Sequence, residues 1–254
     1  HLGKKVKGVV EFKNVSFRYD GADADVLENI SFTAKPGETT AFIGSTGSGK
    51  STLINLIPRF YDVTQGSVEV DGRNVKDYSF KQLRKQIGIV PQQSILFKGT
   101  VRDNMKWENP DLTDEEIITA LKNAQAYEFV SKLPMGLDSN VEQGGKNFSG
   151  GQRQRLCIAR AIAAKPKVLI LDDSFSALDF ATDAALRKAL SQYTHEMTVI
   201  IVTQRCSTIM NSDLILVLDD GMLVGKGTHK ELLKNCETYK EICLSQLSKS
   251  EVEV

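Results

Sequence analysis

The sequence predicts an α/β fold in which a parallel β-sheet carries a phosphate-binding loop. Helical segments separate short apolar strands in the C-terminal half of the chain. A glycine-rich loop follows the apolar strand at 39–43, and another apolar strand, at 168–171, runs directly into a carboxylate. Alternating strands and helices favour a parallel sheet with helices on its faces. A Gly-rich loop between a strand and a helix is a typical phosphate site.

Composition limits the classes of protein that need to be considered. The chain has 254 residues, of which 41% are apolar and 25% charged, and its net charge is +0. These values are typical of a globular protein, and the length fits one large α/β domain with a smaller subdomain. The balanced charge argues against nucleic-acid binding as the main function. No apolar run approaches the roughly 18 residues of a membrane-spanning helix, and there is no signal-peptide pattern.

The chain end and the cysteines give two minor expectations. The chain begins with His1 rather than Met, which is typical of a fragment. No two cysteines form a CxxC pair, and no His nearby in sequence completes a metal site. We therefore expect reduced thiols that serve packing. The four cysteines are Cys157, Cys206, Cys236 and Cys243.

The N-terminal part reads as strands followed by one helix. Residues 9–19 are apolar and β-branched with rough alternation, which predicts a strand. A short strand at 30–34 ends at the turn signal Pro36-Gly37-Glu38. The apolar strand at 39–43 leads into the glycine-rich loop, and 51–60 predicts a helix.

The remainder predicts a helical region and then further strands. Residues 94–164 read as mostly helical, with a helix start at 113–116 and Pro166 just beyond the last helix. Apolar runs at 168–171 and 199–202 predict buried parallel strands, with helices at 179–192 and 207–210. The last 15 or so residues are polar and are expected to be frayed.

The glycine-rich loop fits the pattern GxxxxGK[ST]. Its glycines allow backbone N–H groups to converge on phosphate oxygens, and the following helix adds positive charge at its N-terminus. Lys50 would reach the β- and γ-phosphates, and Ser51 would ligate Mg²⁺. The alternative is a Gly/Ser-rich turn without a ligand. The predicted binding residues are Gly44, Ser45, Thr46, Gly47, Ser48, Gly49, Lys50, Ser51 and Thr52.

Two further segments could form parts of a metal-binding or phosphate-binding site. The strand at 168–171 ends at Asp172, and an acid in this place holds the magnesium shell in phosphate-loop enzymes. The sequence Phe148-Ser149-Gly150-Gly151-Gln152 precedes a predicted helix and could form a second phosphate site. The alternative is a turn in which Ser149 simply caps that helix. Spacing alone leaves both interpretations open.

These motifs together resemble one family. FSGGQ at 148–152 is similar to the LSGGQ signature of ATP-binding-cassette (ABC) proteins, and it lies between the phosphate loop and the second acidic strand, as in that family. Tyr19 resembles the aromatic residue that stacks on adenine, and Gln92 resembles the Q-loop glutamine. The segment that ends at Asp179 resembles the D-loop. The resemblance extends from about Val9 to Leu233.

The resemblance implies a P-loop NTPase fold with a RecA-type core at about 1–92 and 163–240. An antiparallel β subdomain and a helical ABC subdomain, the latter at about 93–162, would accompany this core. Two such domains would stack head to tail around two ATP molecules. Each site would take its phosphate loop from one chain and its signature, here Ser149, Gly150, Gly151 and Gln152, from the other. Magnesium would be held by Ser51, Gln92 and Asp172.

The segment 95–105 is similar to the exporter branch of the family. That branch implies attachment to transmembrane domains, absent from this chain, on the cytoplasmic side of a membrane. Gln143 stands where exporters often carry a Glu, in a loop that touches those domains. Substrate contacts would lie in the transmembrane part.

Two positions depart from the family at the site of catalysis. The family has a Glu after the magnesium Asp, where this chain has Asp173, and a switch His where it has Gln204. The shorter acid withdraws the carboxylate by about 1.5 Å. Misplacement by ~1 Å can cost ~10²-fold in rate. Gln cannot carry charge or relay a proton as His can. Both changes affect hydrolysis rather than binding.

The leading interpretation is one half of a heterodimeric exporter, with a degenerate site of its own and an intact signature for its partner. The catalytic residues would be Asp173, Gln204 and Gln92. A fully active homodimeric exporter domain is the main alternative. A soluble ABC protein of translation or DNA repair is less favoured, because tandem cassettes and a long insertion are missing. The signature and D-loop argue against a small-molecule kinase.

Overall fold

The structure is a computed structural model that describes residues 7–45 and 47–253. His1 and Thr46, on which two sequence expectations rest, lie outside these ranges. The strands are β1 Val10–Phe17, β2 Leu27–Ala34, β3 Thr39–Gly44, β4 Gln65–Val70, β5 Arg73–Asn74, β6 Ile87–Val90, β7 Gly99–Thr100, β8 Asn140–Val141, β9 Val168–Asp172, β10 Thr198–Thr203, β11 Leu214–Asp219 and β12 Met222–Gly227.

The helices lie mostly in the middle and at the C-terminal end of the chain. They are α1 Lys50–Asn55, α2 Phe80–Lys85, α3 Val101–Met105, α4 Asp114–Asn123, α5 Tyr127–Ser131, α6 Gly150–Ala163, α7 Phe180–Tyr193, α8 Cys206–Ile209, α9 His229–Asn235, α10 Glu237–Gln246 and α11 Lys249–Val252. Short 3₁₀ turns lie at Val75–Asp77, Gly136–Asp138 and Gln143–Gly145.

A six-stranded sheet forms the centre of the fold, in the order β12-β11-β3-β10-β9-β6. Its strands are parallel except for β12, which pairs antiparallel with β11 at one edge. Successive side chains of β3, β9 and β10 alternate between two hydrophobic clusters, one on each face of the sheet. This two-sided burial explains why these strands read as continuous apolar runs. The predicted parallel sheet is confirmed.

The two clusters join the central sheet to different neighbours. A four-stranded antiparallel sheet, β2-β1-β4-β5, shares one cluster with the central sheet and α1. Phe12 and Phe32 are cross-strand partners whose rings stack at 4.5 Å, and Phe32 also contacts Phe42 of β3 edge to face. Helices α3–α6 pack against the other cluster. The fold class is confirmed, while the subdomain boundaries near residues 93 and 162 stay a prediction.

Helix boundaries follow local chemistry where the signals are strong. Thr113 caps α4 through a capping box with Glu116, as the sequence predicted. The helix predicted at 51–60 is shorter, because α1 ends at Asn55 and turns follow. Pro58 explains the difference, since the residue before a proline is disfavoured in helical conformation.

The C-terminal end is ordered, and the expectation that it is frayed is wrong. Helices α10 and α11 occupy most of this segment, and Val252 of α11 is buried. Its carbonyl oxygen bonds to Nε2 of the buried His229 at 2.6 Å. The composition of the segment is polar because few positions of these short helices are buried: Tyr239 and Cys243 in α10 and Val252 in α11.

The expectation of free thiols is wrong for one pair of cysteines. Cys206 and Cys243 form a disulfide between α8 and α10, whereas Cys157 and Cys236 are free and buried. Cys206 and Cys243 are 37 residues apart in sequence, so sequence spacing did not indicate that they pair. His229 also lies near the pair in space, although not in sequence, with one ligand atom from each of the three residues within 4.8 Å. Because its ring nitrogens bond to Tyr239 and Val252, the arrangement is a packed hydrogen-bonded cluster rather than a metal site.

A buried carboxylate on α7 gives a first prediction. Asp183 is 1% exposed and accepts hydrogen bonds from Arg187 Nε at 2.5 Å and Thr208 Oγ1 at 2.8 Å. Asp183→Ala leaves both donors unpaired, and we expect it to lower the free energy of unfolding by about 3 kcal/mol. Urea denaturation measures the loss, with the exposed Ser191→Ala on the same helix as the control. A loss within ~0.5 kcal/mol of the control, the range of ordinary surface substitutions, would contradict it.

Candidate nucleotide-binding site

The carboxyl ends of three central strands meet at one edge of the sheet and open into a cavity. Ile43 lies opposite Thr203, and Asp172 lies opposite Val202, so the ends of β3, β9 and β10 are level. The cavity measures about 500 Å³. The predicted site residues that line it are Gly47, Ser48, Gly49, Lys50, Ser51, Thr52, Gln92, Asp172, Asp173 and Gln204.

The loop between β3 and α1 needs glycine at two positions in particular. A Cβ on Gly44 would lie 2.4 Å from the Leu218 carbonyl oxygen and 2.7 Å from Ser48 Oγ. Gly49 is the N-cap of α1 and has φ +103, a conformation that side chains with a Cβ rarely adopt. These glycines let the loop pass close to neighbouring backbone and turn into the helix.

Lys50 is the buried cation of the site. Its side chain is 8% exposed, and Nζ donates to Gly44 O at 2.6 Å, Ser45 O at 3.0 Å and Ser48 Oγ at 3.2 Å. Burial lowers the pKa of Lys50, and the nearby carboxylates of Asp173 and Asp172 oppose that shift. The ammonium group is therefore held at the loop by neutral acceptors, which phosphate oxygens could replace.

Two adjacent carboxylates face Lys50 at the end of β9. Burial raises the pKa of Asp172, the neighbouring Asp173 raises it further, and Lys50 opposes both. Burial also raises the pKa of Asp173, against the opposing charges of Lys50 and Arg205. Together with the Ser51 hydroxyl and the Gln92 amide, Asp172 supplies oxygen donors of the kind that Mg²⁺ prefers, so the residues fit a magnesium ion.

The raised pKa of Asp172 leads to a stability prediction. Its protonated form is favoured by folding, so stability increases as pH falls through the raised pKa towards the ordinary value of 3.8. At neutral pH the buried charge costs stability. We expect Asp172→Asn to raise the Tm of the nucleotide-free chain by about 2–4 °C, the change that ~1 kcal/mol produces in a domain of this size. Added ATP·Mg²⁺ should raise the Tm of wild type and should raise that of Asp172→Asn much less.

Differential scanning calorimetry tests this prediction. The control is Asp219→Asn, since Asp219 is an exposed acid at the end of β11, a strand of the same sheet that does not pair with β9. A lower Tm for Asp172→Asn, or an undiminished response to ATP·Mg²⁺, would show that the carboxylate has a different role.

Gln92 and Gln204 reach the cavity from loops that follow β6 and β10. Arg205, next to Gln204, donates from NH1 to the carbonyl oxygens of Phe175 at 2.6 Å and Leu178 at 3.1 Å. These bonds tie the segment after β10 to the segment that leads to Asp179. The structure thus brings both glutamines to the cavity with the two carboxylates.

Tyr19 lies beside the cavity rather than in its lining. Its hydroxyl bonds to Thr52 Oγ1 at 3.0 Å. Phe17 and Tyr61 contact its ring edge to face, at centroid distances of 4.7 and 5.3 Å. The ring is 37% exposed, so a planar ligand group could still reach it.

The predicted second phosphate segment lies apart from this cavity, at the start of α6. Ser149 is the N-cap of α6: its Oγ accepts from Gln152 N at 3.2 Å, while its own N–H donates to Gln152 Oε1 at 3.0 Å. The capping role is therefore present. Gly150 and Gly151 form the first turn of this 14-residue helix. Asp179 caps α7 in the same way, accepting from Thr182 N at 2.7 Å.

Sequence reasoning missed residues that hold these segments in place. Gln154 is 4% exposed and bonds to Ser176 Oγ and Ala177 N, both at 3.0 Å, which joins α6 to the segment before Asp179. Nothing in the sequence distinguishes Gln154 from the exposed polar residues of α6. No sequence signal identifies Arg205 either, because its partners, two backbone carbonyls and the Asp183 carboxylate, lie far from it in sequence.

A family model described as ABC transporter matches residues 27–176. The chain belongs to the ABC transporter family. An uncharacterized ABC transporter ATP-binding protein of Mycobacterium tuberculosis (strain ATCC 25618 / H37Rv) is 51% identical over 244 residues, which cover 95% of this chain and 42% of that protein. An uncharacterized ABC transporter ATP-binding protein of Bacillus subtilis (strain 168) is 48% identical over 98% of this chain and 43% of that protein.

Two further similarities concern exporters of the ABC transporter family. A Staphylococcus aureus (strain NCTC 8325 / PS 47) protein, named "Putative multidrug export ATP-binding/permease protein", is 44% identical over 93% of this chain and 41% of that protein. The solved structure of a bacterial Atm1-family ABC exporter with ATP bound has a TM-score of 0.88 and 37% identity, over 93% of this chain and 41% of that one. The chain thus spans less than half the length of these relatives. Within the described residues, no helix is long and apolar enough to cross a membrane.

Proposed function

We propose that this chain binds ATP·Mg²⁺ in the cavity and, stacked head to tail with a second ABC domain, drives export of a substrate across a membrane. The observation that carries the proposal is the convergence of Lys50, Gln92 and the carboxylates of Asp172 and Asp173 on one cavity beside a glycine-rich loop. The chain is proposed to act on the cytoplasmic side of the membrane, attached through transmembrane domains.

Each residue has a specific role in this proposal. Backbone N–H groups of the 44–51 loop and the Lys50 ammonium bind the phosphates. Tyr19 stacks on adenine. Ser51, Gln92 and Asp172 hold Mg²⁺, which neutralises phosphate charge when bound. Asp173 and Gln204 lie where a water could be oriented towards the γ-phosphate.

The signature at 149–152 is proposed to bind the nucleotide of the partner domain. It lies at the N-terminus of α6, where backbone N–H groups and the helix dipole favour an anion. It does not line this chain's own cavity, which supports a nucleotide held elsewhere as its ligand. A head-to-tail pair would bring it to the partner's phosphate loop and complete that site.

The variant Gly150→Asp distinguishes nucleotide binding in this chain's own cavity from nucleotide binding by the signature at the partner's site. A Cβ at Gly150 would meet Ala177 Cβ at 3.5 Å, an ordinary van der Waals distance, so the isolated chain accommodates the change. The new carboxylate would lie where the partner's γ-phosphate docks and would repel it. We expect nearly unchanged ATP affinity in the isolated chain, measured by calorimetry, and loss of activity in the assembled pair. Abolished ATP binding by the isolated chain would show that the composite site is wrong for this protein.

The chain's own site is proposed to be degenerate. Asp173 carries a shorter acid than the family's Glu, and Gln204 replaces a residue that can be charged. Both substitutions weaken control of the attacking water and leave the binding groups intact. The chain would then house a slow site and supply its intact signature to the active site of a different subunit.

One structural feature favours the alternative of a working homodimeric domain. Asp173 has φ 49, in the left-handed region, where Asp is several-fold more frequent than most residues. The backbone therefore gives a conformational reason for Asp at this position that is independent of any loss of activity. The hydrolysis rate of the wild-type chain decides between the two.

A wide groove is proposed to receive the transmembrane domains. It measures about 690 Å³, lies between the β6 region and α6, and is lined by Phe60, Arg84, Pro91 and Arg160 among others. Phe60 is 51% exposed, with the Arg84 guanidinium 4.9 Å from its ring centre. An exposed aromatic side chain in a largely polar groove with several basic residues suits a helical element of a membrane protein that carries both apolar and polar side chains.

A further inference from the structure

The backbone that follows Gln204 contacts the C-terminal helix α10. Cys206, the first residue of α8, is joined by a disulfide to Cys243 of α10. Arg205 lies between Gln204 and Cys206 and donates hydrogen bonds to the carbonyl oxygens of Phe175 and Leu178, in the segment before α7. Two different parts of the chain therefore hold the segment that carries Gln204.

Gln246 lies one helical turn beyond Cys243 and bonds to the same segment. Its Oε1 accepts a hydrogen bond from the Cys206 backbone N–H at 2.8 Å, and its Nε2 donates to the Gln204 carbonyl oxygen at 2.5 Å. The two bonds bracket the backbone immediately after Gln204. Gln246 is itself exposed, and it does not line the nucleotide cavity. Both of these hydrogen bonds of the Gln246 amide group therefore go to the backbone segment that carries Gln204.

We propose that Gln246 is a positioning residue for Gln204. Its two hydrogen bonds fix the backbone from which the Gln204 side chain reaches the cavity. This inference rests on the proposed function, in which Gln204 acts at the γ-phosphate. Because catalytic rates fall steeply when a group is misplaced by ~1 Å, loss of Gln246 slows hydrolysis. ATP affinity does not change, since the phosphate loop and Lys50 lie elsewhere in the cavity.

Three variants of α10 separate the hydrogen bonds from other effects of substitution. Gln246→Met keeps the length of the side chain and removes both bonds. Gln246→Glu keeps an acceptor for the Cys206 N–H but places a carboxylate oxygen against the Gln204 carbonyl. Ser245→Ala is the matched control, because Ser245 is exposed and its Oγ bonds only within α10, to Ile242 O at 2.7 Å.

Single-turnover hydrolysis and ATP affinity are measured on the 254-residue chain. We expect Gln246→Met to lower the hydrolysis rate roughly two- to tenfold, the factor that one net hydrogen bond is worth. The Kd for ATP should stay unchanged, and Ser245→Ala should behave as wild type. An unchanged rate for Gln246→Met overturns the proposal.

A double-mutant cycle distinguishes positioning from a general structural role. In a Gln204→Ala background, Gln246→Met should have no further effect on the rate. The same fall in both backgrounds overturns the proposal, because Gln246 would then act without Gln204. The single variant Gln204→Ala tests the proposed function itself. If its hydrolysis rate equals that of wild type, the role proposed for Gln204 is wrong, whatever the result for Gln246→Met.

Hydrogen exchange gives a readout that does not depend on hydrolysis. The Cys206 amide should exchange faster in Gln246→Met than in wild type, because it loses its acceptor. It should stay protected in Gln246→Glu, which retains that acceptor. Equal protection of the Cys206 amide in Gln246→Met and wild type overturns the proposal even where hydrolysis is too slow to compare.

Discussion

Lys50→Ala should weaken ATP·Mg²⁺ binding by at least about 100-fold, because it removes the one buried cation that the described residues place at the phosphate loop. A hydrogen bond to a charged group contributes about 1.5–3 kcal/mol, and Lys50 is expected to reach two phosphates. The loss also removes the Lys50 charge, which opposes the rise in the pKa of Asp172 and, together with Arg205, that of Asp173, so the cavity becomes more negative. An anionic ligand would then be repelled as well as less firmly held.

Isothermal titration calorimetry measures this effect directly. Lys35→Ala is a suitable control, because Lys35 is an exposed lysine at the turn before β3. Circular dichroism checks that the Lys50→Ala chain keeps its fold. Equal ATP affinity of wild type and Lys50→Ala would remove the basis for placing the phosphates in this loop.

The double change Asp173→Glu with Gln204→His should raise the hydrolysis rate of the isolated chain. General-base positioning contributes about 10²–10⁴-fold in rate, equivalent to about 2.7–5.4 kcal/mol of barrier. We expect only part of that range. Position 173 has φ 49, a conformation in which Asp is more frequent than most residues. The gain in the double variant should not equal the product of the single gains, because the two residues act on one water.

Steady-state phosphate release by wild type, both single variants and the double variant measures this gain. High protein concentration and saturating ATP favour the paired form that hydrolysis requires. Ser245→Ala, away from the cavity, serves as the matched control. A double variant that binds ATP and pairs as wild type does, yet hydrolyses no faster, would contradict the degenerate site.

The sequence predicted the site well where backbone chemistry determines it. The glycine pattern around Lys50 has few alternative structures, and buried parallel strands at 168–171 and 199–202 could only end at the same edge of a sheet. Asp172 was expected near the loop as the acid at a strand end, and Asp173 and Gln204 through the family resemblance; the structure places all three in one cavity with the loop. The sequence left two roles open for Ser149, a helix cap and a phosphate ligand. The structure shows its capping hydrogen bonds, and its role towards a partner's nucleotide stays a prediction.

Contacts between distant segments could not be predicted in the same way. Residues near the C-terminus read as polar and frayed, yet Cys243 and Gln246 lie on a helix that docks beside the end of β10. Periodicity describes one element at a time and does not say which elements touch. Without a prediction of α10, nothing in the sequence could bring Cys243 to Cys206 or Gln246 to the backbone of Gln204.

The wild-type chain is expected to bind ATP firmly and to hydrolyse it slowly. The most direct test follows the fate of radiolabelled ATP on the purified chain, recording how much nucleotide is retained and how fast it becomes ADP. We predict that retained nucleotide remains ATP over many seconds, with turnover well below ~1 s⁻¹, the lower end of typical enzyme rates. Turnover at ~1 s⁻¹ or faster would contradict the degenerate site, and failure to retain any nucleotide would contradict the binding site itself.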